Sequence, residues 1–338
     1  MEAAVSTAER GAWVLGVDSG GSGLRVALAR VGDDGAGPRH RRHGEVVEAE
    51  AVRTGPAGID AEHLLAQVLP AAGALLAGAG AEGVDAVCVG AAGMATLGGQ
   101  LRAELPGAFR ERLGARRVAL AADAVTAYAG ALGVRPGAVV AGGTGMIALG
   151  TDLRAWRRAD GWGHLLGDCG GGAWIGRAGL EAALRAHDGR TGGSPALLAR
   201  AEAVFGPVAG LPGQLYPKAE RPAVLGSFAP EVAACAAGGA GDPVALGILE
   251  RAAEEIAASA EAVCPAAEGA EVALTGGLFR LGEPLLAPLR AALARRLPAA
   301  SVVPAGGGPL DGALLIAAGL TGGGRDLPHD PALLHVPV

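Results

Sequence analysis

The stretch WVLGVDSGGSGLRVALARV, residues 13–31, sets the architecture. Two apolar runs, Trp13 to Val17 and Leu24 to Val31, have the length of buried strands and flank a turn of small residues, Asp18 to Gly23. A Rossmann unit needs a helix directly after its glycine turn, and here the chain returns as a strand. A Walker loop needs a lysine in the turn, and the chain's one lysine, Lys218, is far from any such turn. The glycines permit positive φ and let successive N–H groups converge on an anion such as a phosphate. The same residues also suit an ordinary hairpin tip.

The rest of the chain repeats this grammar. Residues 61 to 80 carry a helical apolar repeat, Val84 to Gly90 reads as a strand and Gly98 to Leu113 as a helix. Val118 to Ala121 then starts again as a strand, followed by a helix at Ala124 to Leu132 and strands at Ala138 to Ala141 and Met146 to Gly150, around Gly142-Gly143-Thr144-Gly145. AVVAGGTGMIALG at 138–150 parallels VLGVDSGGSGLRVALA at 14–29, and EVALTGGLF at 271–279 parallels DAVCVGAAGM at 85–94, which points to a duplicated domain. Further helices are expected near 174–188, 226–239, 242–264 and 284–297, a strand at Ser301 to Val303, and a helix opened by Pro309. A chain of 338 residues exceeds one ordinary core. The expected domains are 1–116 and 117–338, with a Pro- and Gly-rich insertion near 189–222 and a tail, 321–338, packing back on the first domain.

A formal charge of −6 and a short basic cluster, Arg39 to His43, expected in a hairpin, give no attraction to nucleic acid or to an anionic membrane. No segment sustains the roughly 18 apolar residues of a membrane span, and the first residues lack a signal-peptide pattern. The expectation is a cytoplasmic protein. Cys88, Cys169, Cys235 and Cys264 are far apart with no C-x-x-C pair, which argues against a zinc site, an iron–sulfur site or a disulfide framework.

Taken in order, five stretches resemble motifs of the superfamily of actin, Hsp70, hexokinases and acetate kinases. DSGGSG at 18–23 resembles its first phosphate motif, AADAVTAYAGA at 121–131 the first connecting motif, and GGTG at 142–145 the second phosphate motif. LTGGL at 274–278 resembles the adenosine motif and GPLDGALL at 308–315 the second connecting motif. The resemblance implies an α/β fold of two duplicated actin-like (ribonuclease H-like) domains with an interdomain cleft, each hairpin gripping one side of a polyphosphate. GWGHLLGDCGGGAWIG at 161–176 is similar to the GWG-x-x-LGDEGS motif of the N-acetylglucosamine kinase family, within the BadF/BadG/BcrA/BcrD ATPase group. Within that group the chain resembles the actinobacterial glucosamine kinases.

This resemblance implies a sugar kinase using ATP and Mg²⁺. By matching position, Asp18 would hold Mg²⁺ directly or through water, as a hard carboxylate suits a hard cation. Gly20, Gly21, Ser22, Gly143, Thr144 and Gly145 would donate to the phosphates, and Gly276 and Gly277 would let the adenosine lie against bare backbone. Thr144, Gly145, Trp162, Gly163 and Asp168 would line the sugar together with Asp123, which would take the proton of the attacking hydroxyl. Asp123 also suits an N-cap, Trp162 a hydrophobic lid, and each glycine a turn. Asp188 and Arg190 read as the cap of the helix that ends there, and the role of His164 stays open.

Two positions depart from the family pattern. Cys169 stands where the motif has glutamate. Gly58, in TGPAGID at 54–60, stands where a similar family loop carries a sugar-bonding asparagine. Both suit a sugar without the acetyl group, whose ammonium a carboxylate such as Asp168 would favour. The expected reaction is phosphorylation of glucosamine, at the 6-hydroxyl, with N-acetylglucosamine as the alternative sugar. A sugar-responsive regulator or an actin-like binding ATPase is the non-enzymatic alternative, and a homodimer is left open.

Overall fold

The computed structural model describes residues 11–20, 23–33, 38–55, 58–239, 241–322 and 327–337. The opening hairpin consists of β1 (Trp13–Gly20) and β2 (Gly23–Asp33), antiparallel, with Trp13 opposite Arg30 and Gly20 opposite Gly23. β3 (Pro38–Ala49) adds along β2 as the outer strand of the sheet. Its basic run, Arg39 to His43, thus lies in a hairpin, as the sequence suggests, and charged residues are what an edge strand carries to discourage pairing with other chains.

A two-stranded ribbon, β4 (Thr54–Gly55) with β5 (Gly58–Ile59), leads into α1 (Ala61–Ala79). Asp60 caps α1 by accepting the His63 N–H at 3.0 Å, and Gly80 ends it in the left-handed conformation. Then come β6 (Ala86–Ala91), α2 (Met94–Leu97), α3 (Gly99–Leu113), β7 (Arg117–Ala122) and α4 (Asp123–Leu132). The second round has β8 (Gly137–Gly142), β9 (Met146–Thr151), β10 (Trp156–Asp160) and α5 (Gly172–His187). Next are α6 (Pro195–Phe205), α7 (Leu211–Leu215), α8 (Arg221–Gly226), α9 (Ala229–Ala237) and α10 (Pro243–Val263). The chain closes with β11 (Glu271–Thr275), α11 (Glu283–Arg296), β12 (Ser301–Pro304), α12 (Pro309–Gly319) and β13 (Leu334–His335).

The first sheet has the order β13-β7-β6-β1-β2-β3 and the second β12-β11-β8-β9-β10. In each, an antiparallel hairpin is extended by two parallel strands on its first member's side: β6 and β7 beside β1, β11 and β12 beside β8. The duplication seen in the motifs is thus repeated in the strand order.

Two compact units carry these sheets. The first runs to Arg135 and includes 152–156 and everything from Ala305; the second comprises Pro136–Thr151 and Arg157–Pro304. The division therefore does not fall at residue 117. β7 pairs with β6 from Ala86 opposite Arg117 to Ala91 opposite Ala122, which binds it and the helix after it to the first sheet. Leu334 pairs with Ala121, so β13 of the tail belongs to the first unit. The stretch 189–222, expected as a Pro- and Gly-rich excursion, is largely helical, with Leu197, Ala201, Val208 and Leu211 in the second unit's core. Three of its prolines, Pro195, Pro212 and Pro222, sit at the first turns of α6, α7 and α8, where a missing N–H costs nothing.

Small residues let the first unit's layers close up. A β-carbon on Gly16 of β1 would lie 2.8 Å from the Leu314 side chain of α12. One on Gly312 would lie 1.9 Å from the Thr126 carbonyl oxygen, and one on Gly130 2.0 Å from that of Gly308. The two stretches matched to connecting motifs therefore form one glycine-mediated helix crossing, α4 against α12. In the second unit, Ile248, Leu249, Ala252, Ile256, Ala260 and Val263 make the buried stripe of α10 at helical spacing. Among the described residues no helix is long and apolar enough to cross a membrane.

Candidate active site

In the first unit, β1 is buried on both faces from Val14 to Ser19, which takes in Asp18, 5% exposed. Hairpin register puts Arg25 opposite it, and the Arg25 Nε donates to Asp18 Oδ2 at 3.1 Å while Nη2 pairs with the same oxygen. Burial pushes the Asp18 carboxyl above the usual aspartate value, and the Arg25 charge and hydrogen bond only partly offset this. No motif points to Arg25, although counting outward from the Gly20–Gly23 pair would find it. Gly20 has open space where a β-carbon would be, whereas the tip residues Gly21 and Ser22 lie outside the described residues.

Would Asp18 suit Mg²⁺? Among the described residues no three His, Cys, Asp or Glu side chains cluster to cage a metal. Mg²⁺ in phosphoryl-transfer sites is usually held by one or two carboxylates with phosphate oxygens and water completing the shell. One buried carboxylate with Arg25 on Oδ2 only is compatible with that arrangement.

Asp123 is the first residue of α4 and follows β7 directly. The N-cap position is Ala122, so the capping alternative is not realised; Asp123 Oδ1 accepts the Ala124 N–H at 2.9 Å and its carbonyl accepts the Thr126 hydroxyl at 3.0 Å. Gly58 has φ 106°, and a β-carbon there would lie 2.1 Å from the Leu97 carbonyl oxygen. No side chain can stand at this position, so the missing asparagine is a property of the backbone path.

In the second unit the hairpin turn and the loop 161–171 are fastened together. Gly172 and Ala173, opening α5, donate to the Gly143 and Thr144 carbonyls at 2.9 and 2.8 Å. The Gly143 N–H bonds the Gly145 carbonyl at 2.9 Å, so within this turn the donors left for an anion are Thr144 and Gly145. Gly143 contributes instead by its bareness, with nothing near the site of a β-carbon. Asp168, with φ 54°, sends its carboxylate back to the turn: Oδ1 accepts the Gly163 N–H at 3.2 Å, Met146 adds a backbone hydrogen bond, and a β-carbon on Gly145 would lie 2.5 Å from Oδ2. Burial raises the Asp168 pKa, with the Gly163 hydrogen bond opposing and the nearby Asp160 charge adding to the rise.

Trp162 is 67% exposed and carries Arg158 over its ring at 4.7 Å; Leu165 and Leu166 beside it are 77% and 86% exposed. Cys169 gives its N–H to Asp160. Asp188 caps α5 and lies 4.0 Å from Arg190 in an exposed pair. At the adenosine-type motif, Gly276 has φ 102° and a β-carbon there would lie 2.2 Å from the Gly142 carbonyl oxygen, so backbone packing alone requires glycine. Gly277 has only the Arg280 side chain near, at 3.6 Å.

Two sheets of repeated strand order, each with a small-residue hairpin beside its central parallel strands, define an actin-like two-domain ATPase fold. Residues 15–317 match the BadF/BadG/BcrA/BcrD ATPase family, and the chain belongs to it. Over 69 residues, 20% of the chain, it is 42% identical to the N-acetylmuramic acid/N-acetylglucosamine kinase of Clostridium acetobutylicum, a match spanning 22% of that protein. A candidate N-acetylglucosamine kinase of known structure from Chromobacterium violaceum is 28% identical, with TM-score 0.63 over 90% of this chain and 98% of that one. A glucokinase of the ROK family from Streptomyces griseus, solved with glucose and AMPPNP, shares the fold at 22% identity and TM-score 0.51, over 91% and 98% of the two chains.

Proposed function

We propose that this protein is an ATP-dependent sugar kinase that phosphorylates glucosamine at the 6-hydroxyl, giving glucosamine 6-phosphate and ADP. The observation that carries the reading is the junction in the second unit, where one carboxylate, Asp168, touches both the hairpin turn at Gly145 and the loop backbone at Gly163. A kinase must hold a hydroxyl beside the phosphate it attacks, and a carboxylate joined to a phosphate-type turn meets that need. Membership of an ATPase family supports ATP as the donor.

In this reading Asp168 accepts sugar hydroxyl protons and Trp162 covers the ring's C–H face, with Gly163 between them. Thr144 and Gly145, with Gly20, Gly21 and Ser22, donate to phosphate oxygens; Gly143 lets them approach, and the adenosine lies against Gly276 and Gly277. Asp123 orients the 6-hydroxyl and takes its proton as the oxygen bonds to the γ-phosphorus and the bond to the β,γ-bridging oxygen breaks. Asp18 would hold Mg²⁺ through Oδ1, the oxygen that Arg25 leaves to it; the ion's part is to neutralise phosphate charge. Gly58 and Cys169 support the unacetylated sugar.

The names of the relatives favour a second reading, an N-acetylglucosamine kinase. Coupled ADP release with glucosamine, N-acetylglucosamine and glucose separates them. Turnover with the acetylated sugar alone overturns the choice of sugar, and no sugar-dependent turnover overturns the kinase.

A further inference from the structure

The residue that organises the loop 161–168 is one that no motif pointed to. Asp160, the last residue of β10, has φ 59°, a left-handed conformation that non-glycine residues adopt at a cost and that aspartate tolerates better than most. Its Oδ1 accepts the Asp168 N–H at 2.6 Å and its Oδ2 the Cys169 N–H at 2.8 Å, with the Trp162 N–H further off at 3.5 Å. One carboxylate therefore ties the loop's start to its end. Gly167 is bare because it must be: a β-carbon there would lie 2.3 Å from Asp160 Oδ1. Arg158 secures the same corner from the backbone side, donating to the Asp160 carbonyl at 3.0 Å and the Gly161 carbonyl at 2.5 Å.

We propose that Asp160 is a positioning residue for the sugar half-site, fixing the backbone of Asp168 so that its carboxylate stays between Gly145 and Gly163. The inference rests on the kinase reading. Asp160 itself keeps both oxygens on backbone donors and takes no part in sugar contact. Holding an already strained Asp168 needs two strong anchors, and hydrogen bonds to a charged acceptor are about twice as strong as neutral ones.

The test is steady-state kinetics of Asp160→Asn and Asp160→Gly on the full chain, with thermal melting as a check on folding. Glycine accepts the left-handed backbone without strain but removes both anchors; asparagine keeps one acceptor oxygen. The expected result is a sugar KM raised roughly 10- to 100-fold in Asp160→Gly and less in Asp160→Asn, with the ATP KM at saturating sugar within about twofold of wild type. A second readout separates positioning from mere loop stability. The charged or titratable groups bearing on Asp168 are Asp160 and His164 of its own loop, with Glu255 of α10 facing the adjoining Cys169. Removing the Asp160 charge in Asp160→Asn moves the acid limb of kcat/KM for sugar to lower pH. Asp160→Asn with wild-type sugar KM and an unmoved acid limb overturns the inference while the kinase stands. Wild-type protein inactive on every sugar overturns the kinase reading, and this inference with it.

Discussion

Replacing Gly145 by alanine tests the junction on which the functional reading depends. The new β-carbon would lie 2.5 Å from Asp168 Oδ2 and 3.0 Å from its Cγ, while ordinary contact begins at 3.4 Å. The carboxylate must retreat by about 0.9 Å, the difference between 3.4 and 2.5 Å. Two hydrogen bonds resist that movement, because its Oδ1 is bonded to Gly163 and Met146 adds a second backbone donor. Loss of one charge-assisted hydrogen bond costs about 1.5–3 kcal/mol, and a 1 Å misplacement near reacting groups costs on the order of 10²-fold. The expectation is therefore a fall in kcat/KM for the sugar of roughly 10- to 100-fold. Coupled ADP release with sugar varied at saturating ATP measures it. Gly73→Ala on the exposed face of α1, where nothing lies near the new methyl group, is the control: it should leave kinetics unchanged and add about 0.5–1 kcal/mol of stability. A folded Gly145→Ala enzyme with wild-type sugar kinetics would refute the placement of Asp168 as a sugar ligand. A rise in the ATP KM alone would reassign Gly145 to the nucleotide.

Asp123→Asn keeps shape and nucleotide binding but cannot take a proton; turnover should fall by about 10²- to 10⁴-fold with ATP affinity unchanged, and near-normal turnover would remove Asp123 as the base. Gly312→Ala drives a methyl group to within 1.9 Å of the Thr126 carbonyl, so the α4–α12 crossing must open, at a cost of about 1–3 kcal/mol or more by urea unfolding; unchanged stability would mean the two helices are not held this closely. The raised pKa of Asp168 also sets a pH dependence. If Asp168 binds the sugar as proposed, its ionised form is the ligand, so affinity is lost as pH falls through that raised value, at higher pH than an ordinary aspartate would impose. A sugar KM constant down to the normal aspartate range would contradict the burial of this group.

The fold is legible in the sequence wherever its cause is local. The repeat over 61–80 reads as a helix because its apolar spacing is local, and Asp60 and Gly80 then bracket α1 through a few neighbouring backbone groups. The two hairpins read as strands because apolar runs broken by small turn residues have few other solutions. β3 shows in the sequence only as a hairpin around its basic run, because an edge strand needs no buried alternation to fix its ends. The helices between 195 and 226 are hidden because proline and glycine count as breakers in a sequence reading, while Pro195, Pro212 and Pro222 stand in first turns.

Residue order alone is enough to make the chain a duplicated α/β protein with a phosphate-type hairpin in each half and a GWG loop ending at Asp168. Those are statements about chemistry at fixed spacing, and spacing is covalent. Which groups meet is a matter of the folded chain. Folding opposes Arg25 to Asp18 through strand register, turns the Gly143 N–H inward, closes position 58 to any side chain, and makes Asp160 the hub of the loop. It also gathers β7, α4 and the tail into the first unit. Each of these depends on where residues far apart in the chain come to rest, which packing and hydrogen bonding settle only once the whole unit has folded.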